Sequence, residues 1–376
     1  MKRIILITTV CACGLLPLQA QSVDEVLQSV AQHNKSIQAQ QKNGEAEKIG
    51  IEAENSLEDP TVEYSSFFSK GVNGQSGSEL VVSQGFDFPT VYNSRNRAGR
   101  DKKEAVDYRA EALRRNVLLE AKTLCLDMIR LNRQRDLLDK RMQNADELLA
   151  LYEERLRAGD ATVIEVNKIK MERMSIQTEV LQNHTDHRTA LQSLLALNGN
   201  MPLTFEGREY PTIPTTLDFE ALCDEVLGQD AELKAAEADT RAAKRNLTVN
   251  TGEGSKEHGF LVGGSIPLFS NRRQVRMAQA QSIGTRLQAD EIRLKAEAAL
   301  HSGFNELQQL GRAMSVYDQP LMTQTLELLK ESVKGGELSV TDYFVEADQI
   351  YRNLQAYMEL ECQYQKVAAT LYKNRL

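Results

Sequence analysis

Hydrophobic residues recur at steps of three and four along the first half of the chain, from about Val91 to Arg157. The recurring positions are Val106, Ala110, Leu113, Val117, Ala121, Leu124, Met128, Leu131, Leu138, Met142, Ala145, Leu149, Tyr152 and Leu156, interrupted only by Arg135. This spacing is typical of helices that pack as coiled coils. A helix of this span would be roughly 100 Å long at 1.5 Å per residue. The pattern therefore predicts long coiled-coil helices rather than a compact globule.

The apolar rhythm stops at a glycine in each half of the chain and then resumes. It stops at Gly159 and resumes near Val163, and it stops again at Gly336 and resumes at Val340. Glycine readily adopts the positive φ that ends a helix. Each half is therefore predicted to contain a very long helix, a sharp break and a further helix.

These breaks belong to a similarity between the two halves. The segment Glu154–Glu165 matches Glu331–Asp342 at an offset of 177 residues. Upstream, Asp87–Arg95 matches Ser265–Arg273 at an offset of 178 residues. Similarity at a fixed period indicates a tandem duplication, in which each copy is one supersecondary unit.

The duplication predicts a first repeat at 22–198 and a second repeat at 217–376. The segment at 199–216 collects Gly, Pro and Thr and is predicted to link them. A third match, of Ile37–Ala39 with Leu233–Ala235 at an offset of 196 residues, is weak alone but aligns the starts of the repeats.

Polar and apolar residues alternate at period two over 61–88, which predicts a β-hairpin with a Gly-rich turn. The same alternation returns in the second half. The apolar face comprises Val62, Tyr64, Phe68, Leu80, Val82, Phe86 and Phe88, with Phe260, Val262 and Ile266 in the second half. Such strands fit either a lipid-embedded barrel or a half-buried sheet of a soluble protein.

The surroundings of the hairpins favour the lipid-embedded interpretation. A two-stranded hairpin is marginally stable alone, and the neighbouring helices turn their apolar seams toward each other. One chain offers at most four strands, whereas closed membrane barrels begin at about eight. The chain is therefore predicted to associate with copies of itself around a symmetry axis.

Composition narrows the possible fold classes and binding partners further. Only 6% of residues are aromatic and Trp is absent, which suits long helices better than a β-sandwich or an α/β enzyme. The formal charge is −8, with both signs interspersed and no basic stripe, so nucleic acid is not an expected partner. Cys125, Cys223 and Cys362 are scattered and do not predict a disulfide framework.

The first 21 residues have the features of a secretory signal peptide, which are a basic start, a short apolar stretch and Ala20 before the cut. Acylation of Cys13 is an open alternative. The next residues, Ser22–Glu25, form a capping box that predicts the start of the first helix.

Motifs for catalysis, metals or cofactors are weak. His184 and His187 stand at i, i+3 on a predicted helix, without a third ligand at a useful spacing, so a polar helix face is the favoured interpretation. No GxSxG, P-loop or GxGxxG motif occurs. The sequence predicts no enzyme and no cofactor.

Taken together, the duplicated unit, the strand end Ser265–Phe269 followed by basic residues, and the paired loops Arg157–Thr162 and Lys334–Ser339 resemble the TolC family of outer-membrane efflux proteins. The resemblance covers essentially the whole chain after the signal peptide. It implies a mainly α fold with a small β portion. Three chains would form an α-barrel tunnel of long antiparallel coiled-coil helices, with β-hairpins contributing to a shared transmembrane β-barrel.

The resemblance also implies a function. The chain would be the outer-membrane duct of a tripartite efflux or secretion system, passively exporting small molecules or ions, and it would extend into the periplasm. Its partners would be two further copies, outer-membrane lipid, a periplasmic adaptor and an inner-membrane pump of the RND or ABC type. The alternative is a soluble periplasmic coiled-coil adaptor or scaffold.

Two loops would form the periplasmic tip, where the adaptor docks. The resemblance assigns this role to Arg157, Gly159, Asp160, Thr162, Lys334, Gly336, Glu337 and Ser339. The acidic residues Asp160, Glu165, Glu337 and Asp342 would face the lumen and favour cations. The alternatives are that the glycines only end helices and that the charges are only solvated.

One segment departs from the family pattern. Between Leu233 and Pro267 the second half is 18 residues shorter than the first half is between Ile37 and Pro89. The missing stretch falls where the third strand is expected, so we predict a shortened hairpin around 247–268.

Overall fold

A computed structural model describes residues 22–57, 59–67, 77–85, 89–213, 218–251 and 271–376. The predicted signal peptide and Cys13 lie outside the described residues, as do the predicted strand positions Phe68, Phe86, Phe88, Phe260, Val262 and Ile266.

The described residues form mainly α-helices with one small antiparallel sheet. In chain order the elements are α1 (Val23–His33), α2 (Lys35–Ala53), β1 (Thr61–Phe67), β2 (Gly77–Ser83), α3 (Pro89–Ala158), α4 (Val163–Leu197), α5 (Phe219–Gln229), α6 (Ala231–Thr251), α7 (Asn271–Met314), α8 (Gln319–Gly335) and α9 (Val340–Leu371). A short 3-10 turn, Lys373–Arg375, follows. The predicted mainly α fold with a small β portion is confirmed.

The long helix of the first half is confirmed, since α3 runs for 70 residues without interruption. The prediction of an equally continuous helix in the second half was wrong, because residues 315–318 separate α7 from α8. Pro320 explains the break. As the second residue of α8 it lacks the N–H that would continue the helical ladder of α7.

The first helix is also divided, which the sequence pattern did not predict. Asn34 separates α1 from α2, and its side-chain oxygen accepts a hydrogen bond from the Ile37 N–H at 3.0 Å. In the second half Asp230 does the same between α5 and α6, accepting from the Leu233 N–H at 3.0 Å. Asn34 and Asp230 are related by the offset of 196 that aligns the repeat starts.

The sequence predicted a short third strand from about residue 247. This prediction was wrong for the residues that the structure describes. Residues 247–251 form the last turn of α6 instead. A helix can continue here because no Pro or Gly interrupts the sequence before Gly252. The rest of the predicted second hairpin lies outside the described residues.

The chain folds into two compact units. Of the described residues, the first unit comprises those in 22–30, Leu124–Pro211 and Gln319–Met358, and the second comprises those in 31–123, 212–318 and Glu359–Leu376. The core of the first unit contains Leu148, Tyr152, Val166, Ile169, Val333, Val340, Tyr343, Ala347, Tyr351 and Leu354. A core of the second unit contains Leu222, Val226, Leu300, Leu307, Ala368 and Leu371. These units cut across the two sequence repeats, and the division into repeats stays a prediction.

The described α-helices include none with the length and apolar character that a membrane-crossing helix requires.

The cysteines are expected to differ in reactivity. Cys125 and Cys362 are buried, whereas Cys223 is partly exposed. Burial raises the pKa of the Cys125 thiol to about 12, so almost no thiolate is present near pH 8. We expect iodoacetamide to alkylate Cys223 slowly in the native protein and to spare Cys125 until denaturant is added. Peptide mass spectrometry over time measures both rates, and equal native rates would contradict the buried position of Cys125.

Candidate functional site

The first predicted tip loop begins with a glycine in the left-handed region. Gly159 has φ +86°, and its N–H bonds to the Leu156 carbonyl at 3.2 Å. The Asp160 N–H bonds to the Arg155 carbonyl at 2.8 Å. This pair of bonds is a Schellman motif, which satisfies the carbonyls at the end of α3.

The second predicted tip loop has the same geometry. Gly336 has φ +81°, and its N–H bonds to the Val333 carbonyl at 3.3 Å. The Glu337 N–H bonds to the Ser332 carbonyl at 3.0 Å. The predicted positive φ is therefore confirmed at both glycines, and the two loops are alike in their hydrogen bonds as well as in sequence.

Each loop ends in a helix cap. The Thr162 N–H donates to the Glu165 carboxylate at 2.7 Å, and the Glu165 N–H donates to the Thr162 hydroxyl at 3.3 Å. The Thr162 hydroxyl also donates to the Glu165 carboxylate at 2.8 Å. The bonds that this carboxylate accepts, first from the Thr162 backbone and then from its hydroxyl, lower the pKa of Glu165. In the second loop the Asp342 N–H donates to the Ser339 hydroxyl at 3.1 Å, and that hydroxyl donates back to the carboxylate at 2.6 Å.

The four acidic residues predicted to face a lumen therefore fall into two kinds. Glu165 and Asp342 cap α4 and α9, so their carboxylates hold the local fold. Asp160 and Glu337 stand exposed on the turns themselves. Unlike Glu165 and Asp342, this second pair caps no helix.

The two loops lie beside each other in the first compact unit. The Arg155 guanidinium donates to the Lys334 carbonyl at 2.6 Å, and the Lys168 ammonium donates to the Thr341 hydroxyl at 2.6 Å. Two basic residues of the predicted tip bond to their own surroundings. The Arg157 guanidinium donates to the Glu153 carbonyl at 3.2 Å, and the Lys334 ammonium lies 3.2 Å from the Glu147 carboxylate. The structure thus brings together the two loops that lie far apart in sequence.

A buried arginine joins α3, α4 and α9 at a site that the sequence did not reveal. Arg141 is only 7% exposed. Its guanidinium donates to Glu172 at 2.5 Å and to Glu179 at 3.0 Å. A third carboxylate, that of Asp348, is 3.5 Å away, and the Tyr351 ring centroid is 5.1 Å from the guanidinium carbon.

This cluster, called here the Arg141 hub, places three carboxylates around one cation. Burial alone would lower the pKa of Arg141. The carboxylates of Glu172, Glu179 and Asp348 have the larger combined effect, so the pKa of Arg141 is raised. Tyr351 also accepts a hydrogen bond from the Asn144 amide at 3.4 Å. The hub therefore holds a charged arginine inside the helical packing.

The hairpin of the second unit has one largely apolar face and one mainly polar face, on which Phe67 and Val81 are the apolar exceptions. Antiparallel pairing sets Val62 opposite Val82 and Tyr64 opposite Leu80. The other face pairs Thr61 with Ser83, Glu63 with Val81 and Ser65 with Glu79. The predicted alternation is confirmed for these strands.

Both faces of the hairpin are uncovered. All residues of β1 and β2 are exposed, including Val62, Tyr64, Leu80 and Val82 at 63–68%. A half-buried soluble sheet would cover its apolar face with other parts of the chain. The described residues provide no such cover for the apolar face of the hairpin.

Metal-ligating side chains do not gather elsewhere in the described part of the chain, where no group of three or more His, Cys, Asp or Glu residues is arranged to hold an ion. His187 is half-buried, and desolvation is the main cause that lowers its pKa. The pair His184 and His187 therefore stands without a third ligand among the described residues.

Comparisons with known proteins find similarity in structure rather than sequence. No protein-family model matches the chain, and no curated protein matches it in sequence. The chain is similar to the outer membrane protein VceC of Vibrio cholerae, with a TM-score of 0.71, 17% identity, and 94% of this chain and 95% of that chain covered.

Two further solved structures are similar over nearly the whole chain. A membrane protein from Pseudomonas aeruginosa gives a TM-score of 0.76 at 16% identity, with 94% of this chain and 90% of that chain covered. The Campylobacter jejuni CmeC outer membrane channel gives a TM-score of 0.72 at 15% identity, with 94% and 85% covered. At such low identity, these similarities show the fold.

Proposed function

Since its fold is that of the TolC-family outer-membrane channels, we propose that this chain is one protomer of a passive export duct in the outer membrane. The duct would reach into the periplasm and would carry substrate without catalysis. The observation that carries the proposal is the uncovered apolar face of the β1–β2 hairpin. A chain with this face exposed and with channel architecture along its length fits a lipid-embedded hairpin attached to a helical tunnel.

The two tip loops are proposed to dock a periplasmic adaptor of an RND-type or ABC-type pump. Each loop is fixed at one end by a Schellman motif and at the other by a cap, so its exposed side chains are held in place. Val163 and Ile164, which follow the first loop, are 60% and 69% exposed. An ordered loop beside exposed apolar side chains loses little conformational entropy when a partner binds.

Conductance tests the duct. The mature protein, purified from membranes in mild detergent, is expected to be a trimer by mass and to conduct in a planar lipid bilayer. Asp160→Asn with Glu337→Gln removes the two carboxylates that stand on the turns themselves, and it is expected to lower the preference for cations over anions, because a ring of carboxylates attracts cations. Reversal potentials in a salt gradient measure this preference.

A matched control removes an exposed carboxylate outside the loops. Glu209→Gln, in the segment between α4 and α5, is expected to leave the ion preference unchanged. A water-soluble monomer or dimer that does not conduct would overturn the duct and favour a periplasmic coiled-coil scaffold. A conducting trimer whose selectivity ignores the tip charges would place those charges away from the ion path.

A further inference from the structure

Exposed arginines gather near the starts of α3, which follows the β1–β2 hairpin, and α7, which follows the predicted second hairpin. They are called here the arginine collar and are Arg97 and Arg100 of α3 and Arg272, Arg273 and Arg276 of α7. No Asp or Glu occurs within 89–100 or within 271–289. At 1.5 Å per residue, the whole collar lies within roughly 17 Å of the helix starts.

The collar is not neutralised by the rest of the described chain. None of its five arginines forms an ion pair with another residue that the structure describes. The next cations along α3 do form such pairs. Lys102 pairs with Glu54 at 2.8 Å, and Lys103 pairs with Glu52 at 2.5 Å. On α3 the change from unpaired to paired cations therefore comes directly after the collar.

The two parts of the collar lie at the same end of the second compact unit. Lys102 of α3 and Gln281 of α7 line one cleft of about 720 Å³. Further along, Asn116 of α3 donates to Glu232 at 3.3 Å, and Glu232 lines a second cavity together with Lys295 of α7. The two helices thus run in the same direction. The collar residues of both helices precede the cleft and lie on its hairpin side.

The collar also adjoins an apolar surface. Strand β2 ends at Ser83 and α3 begins at Pro89, so the α3 arginines follow the hairpin within a few helical turns. The apolar face of that hairpin is uncovered by the described residues. In a bilayer, charged headgroups lie directly beside the hydrocarbon core. Cations at the edge of an exposed apolar face therefore match the border of an anionic membrane surface.

We propose that the arginine collar binds the phosphate groups of anionic phospholipids, in the leaflet that borders the helical part of the chain. The inference rests on the proposed duct, since it takes the hairpin to lie in the membrane. A guanidinium group presents its N–H donors in a planar fork that fits two phosphate oxygens. Clusters of about four to eight Lys or Arg residues beside a membrane segment attract anionic lipids, and the collar provides five such cations in each copy.

Lipid titrations test the collar directly. The mature protein in non-ionic detergent is titrated separately with dioleoyl phosphatidylglycerol, which is anionic, and with dioleoyl phosphatidylethanolamine, which has the same acyl chains and no net charge. Native mass spectrometry gives the dissociation constant of each lipid. The constant for the anionic lipid is expected to be about tenfold lower. Raising the ionic strength to about 1 M is expected to reduce this preference, because the Debye length then falls to about 3 Å.

Substitutions in α7 show which cations bind the lipid. Arg272→Gln with Arg273→Gln and Arg276→Gln is expected to raise the dissociation constant of the anionic lipid about tenfold. Lysine at the same three positions keeps the charge and is expected to keep most of the preference. Arg286→Gln is the matched control, because Arg286 is also exposed but lies roughly 15 Å further along α7 than Arg276. It is expected to leave the binding of both lipids unchanged.

The outcomes separate this inference from the duct. Equal binding of the two lipids by a protein that inserts in membranes and conducts would overturn the collar and leave the duct standing. A triple glutamine variant that keeps the full preference for the anionic lipid would do the same. Complete displacement of that lipid by excess inorganic phosphate would also overturn the collar, because it would indicate a site for free anions. A protein that inserts in no membrane would overturn both.

Discussion

Replacing Arg141 with methionine is expected to lower the free energy of unfolding by about 3 kcal/mol, since removing one member of a buried ion pair leaves an uncompensated charge. The guanidinium side chain is 8% exposed and sits among Glu172, Glu179 and Asp348. Methionine keeps much of the volume of the side chain, so the loss reports on charge rather than on a cavity. Denaturant titration of the protein in detergent, followed by helical circular dichroism, measures the change.

A matched control lies between the same helices. Arg173 of α4 pairs with Asp146 of α3 at 2.6 Å, but both side chains are nearly half exposed. Arg173→Met is expected to change the free energy of unfolding by less than about 0.5 kcal/mol, because exposed ion pairs contribute little. If the two substitutions lowered the free energy of unfolding equally, burial of the Arg141 ion pairs would contribute nothing beyond an exposed pair.

Replacing Val82 with arginine is expected to prevent most of the protein from inserting in the outer membrane. Val82 pairs with Val62 on the apolar face of the hairpin and is 64% exposed. An arginine on the lipid face of a membrane strand costs roughly 2–4 kcal/mol near the bilayer centre. In a trimer the penalty is paid by every copy. Fractionation after alkaline carbonate extraction measures the share of protein that remains in the membrane.

The neighbouring residue provides the control for the Val82 substitution. Val81 lies on the opposite face, where it pairs with Glu63. Val81→Arg adds the same side chain at almost the same depth and is expected to insert normally, with the guanidinium close to the Glu63 carboxylate. If Val81→Arg fails and Val82→Arg inserts, the faces are reversed. If both insert equally well, neither face contacts lipid.

Local signals were enough to predict several elements. The 3–4 spacing between Val106 and Leu156 predicted α3 because coiled-coil packing repeats the same demand every turn. Gly159 and Gly336 predicted the ends of α3 and α8 because few other residues accept a positive φ. The strands were predictable because successive side chains of a strand point to opposite faces, which leaves a period of two in the sequence.

Other features depended on contacts that a single segment does not contain. Arg141 stands beside the apolar seam of α3, but its carboxylate partners lie on α4 and α9, so nothing near it in sequence signals the hub. Pro320 is a local signal for the break at 315–318. The prediction missed this break because it assumed that the two repeats contain the same long helix. Asn34 was detectable only by aligning it with Asp230, because an isolated Asn within a helical pattern is ambiguous.

The two glycine turns tolerate a changed side chain and a changed length differently. In the first turn Gly159 is set by its backbone angle, Ala161 packs on the core and Thr162 caps α4. Asp160 is exposed and is the remaining residue of the turn, and its side chain neither caps a helix nor packs on the core.

The second turn repeats this division of roles. Gly336, Leu338 and Ser339 serve the fold, and Glu337 is left. The fold therefore constrains the length of each turn more than it constrains the side chain at Asp160 or Glu337. One residue per turn can be substituted without loss of a cap or a core contact, whereas inserting or deleting a residue would separate the glycine from its cap.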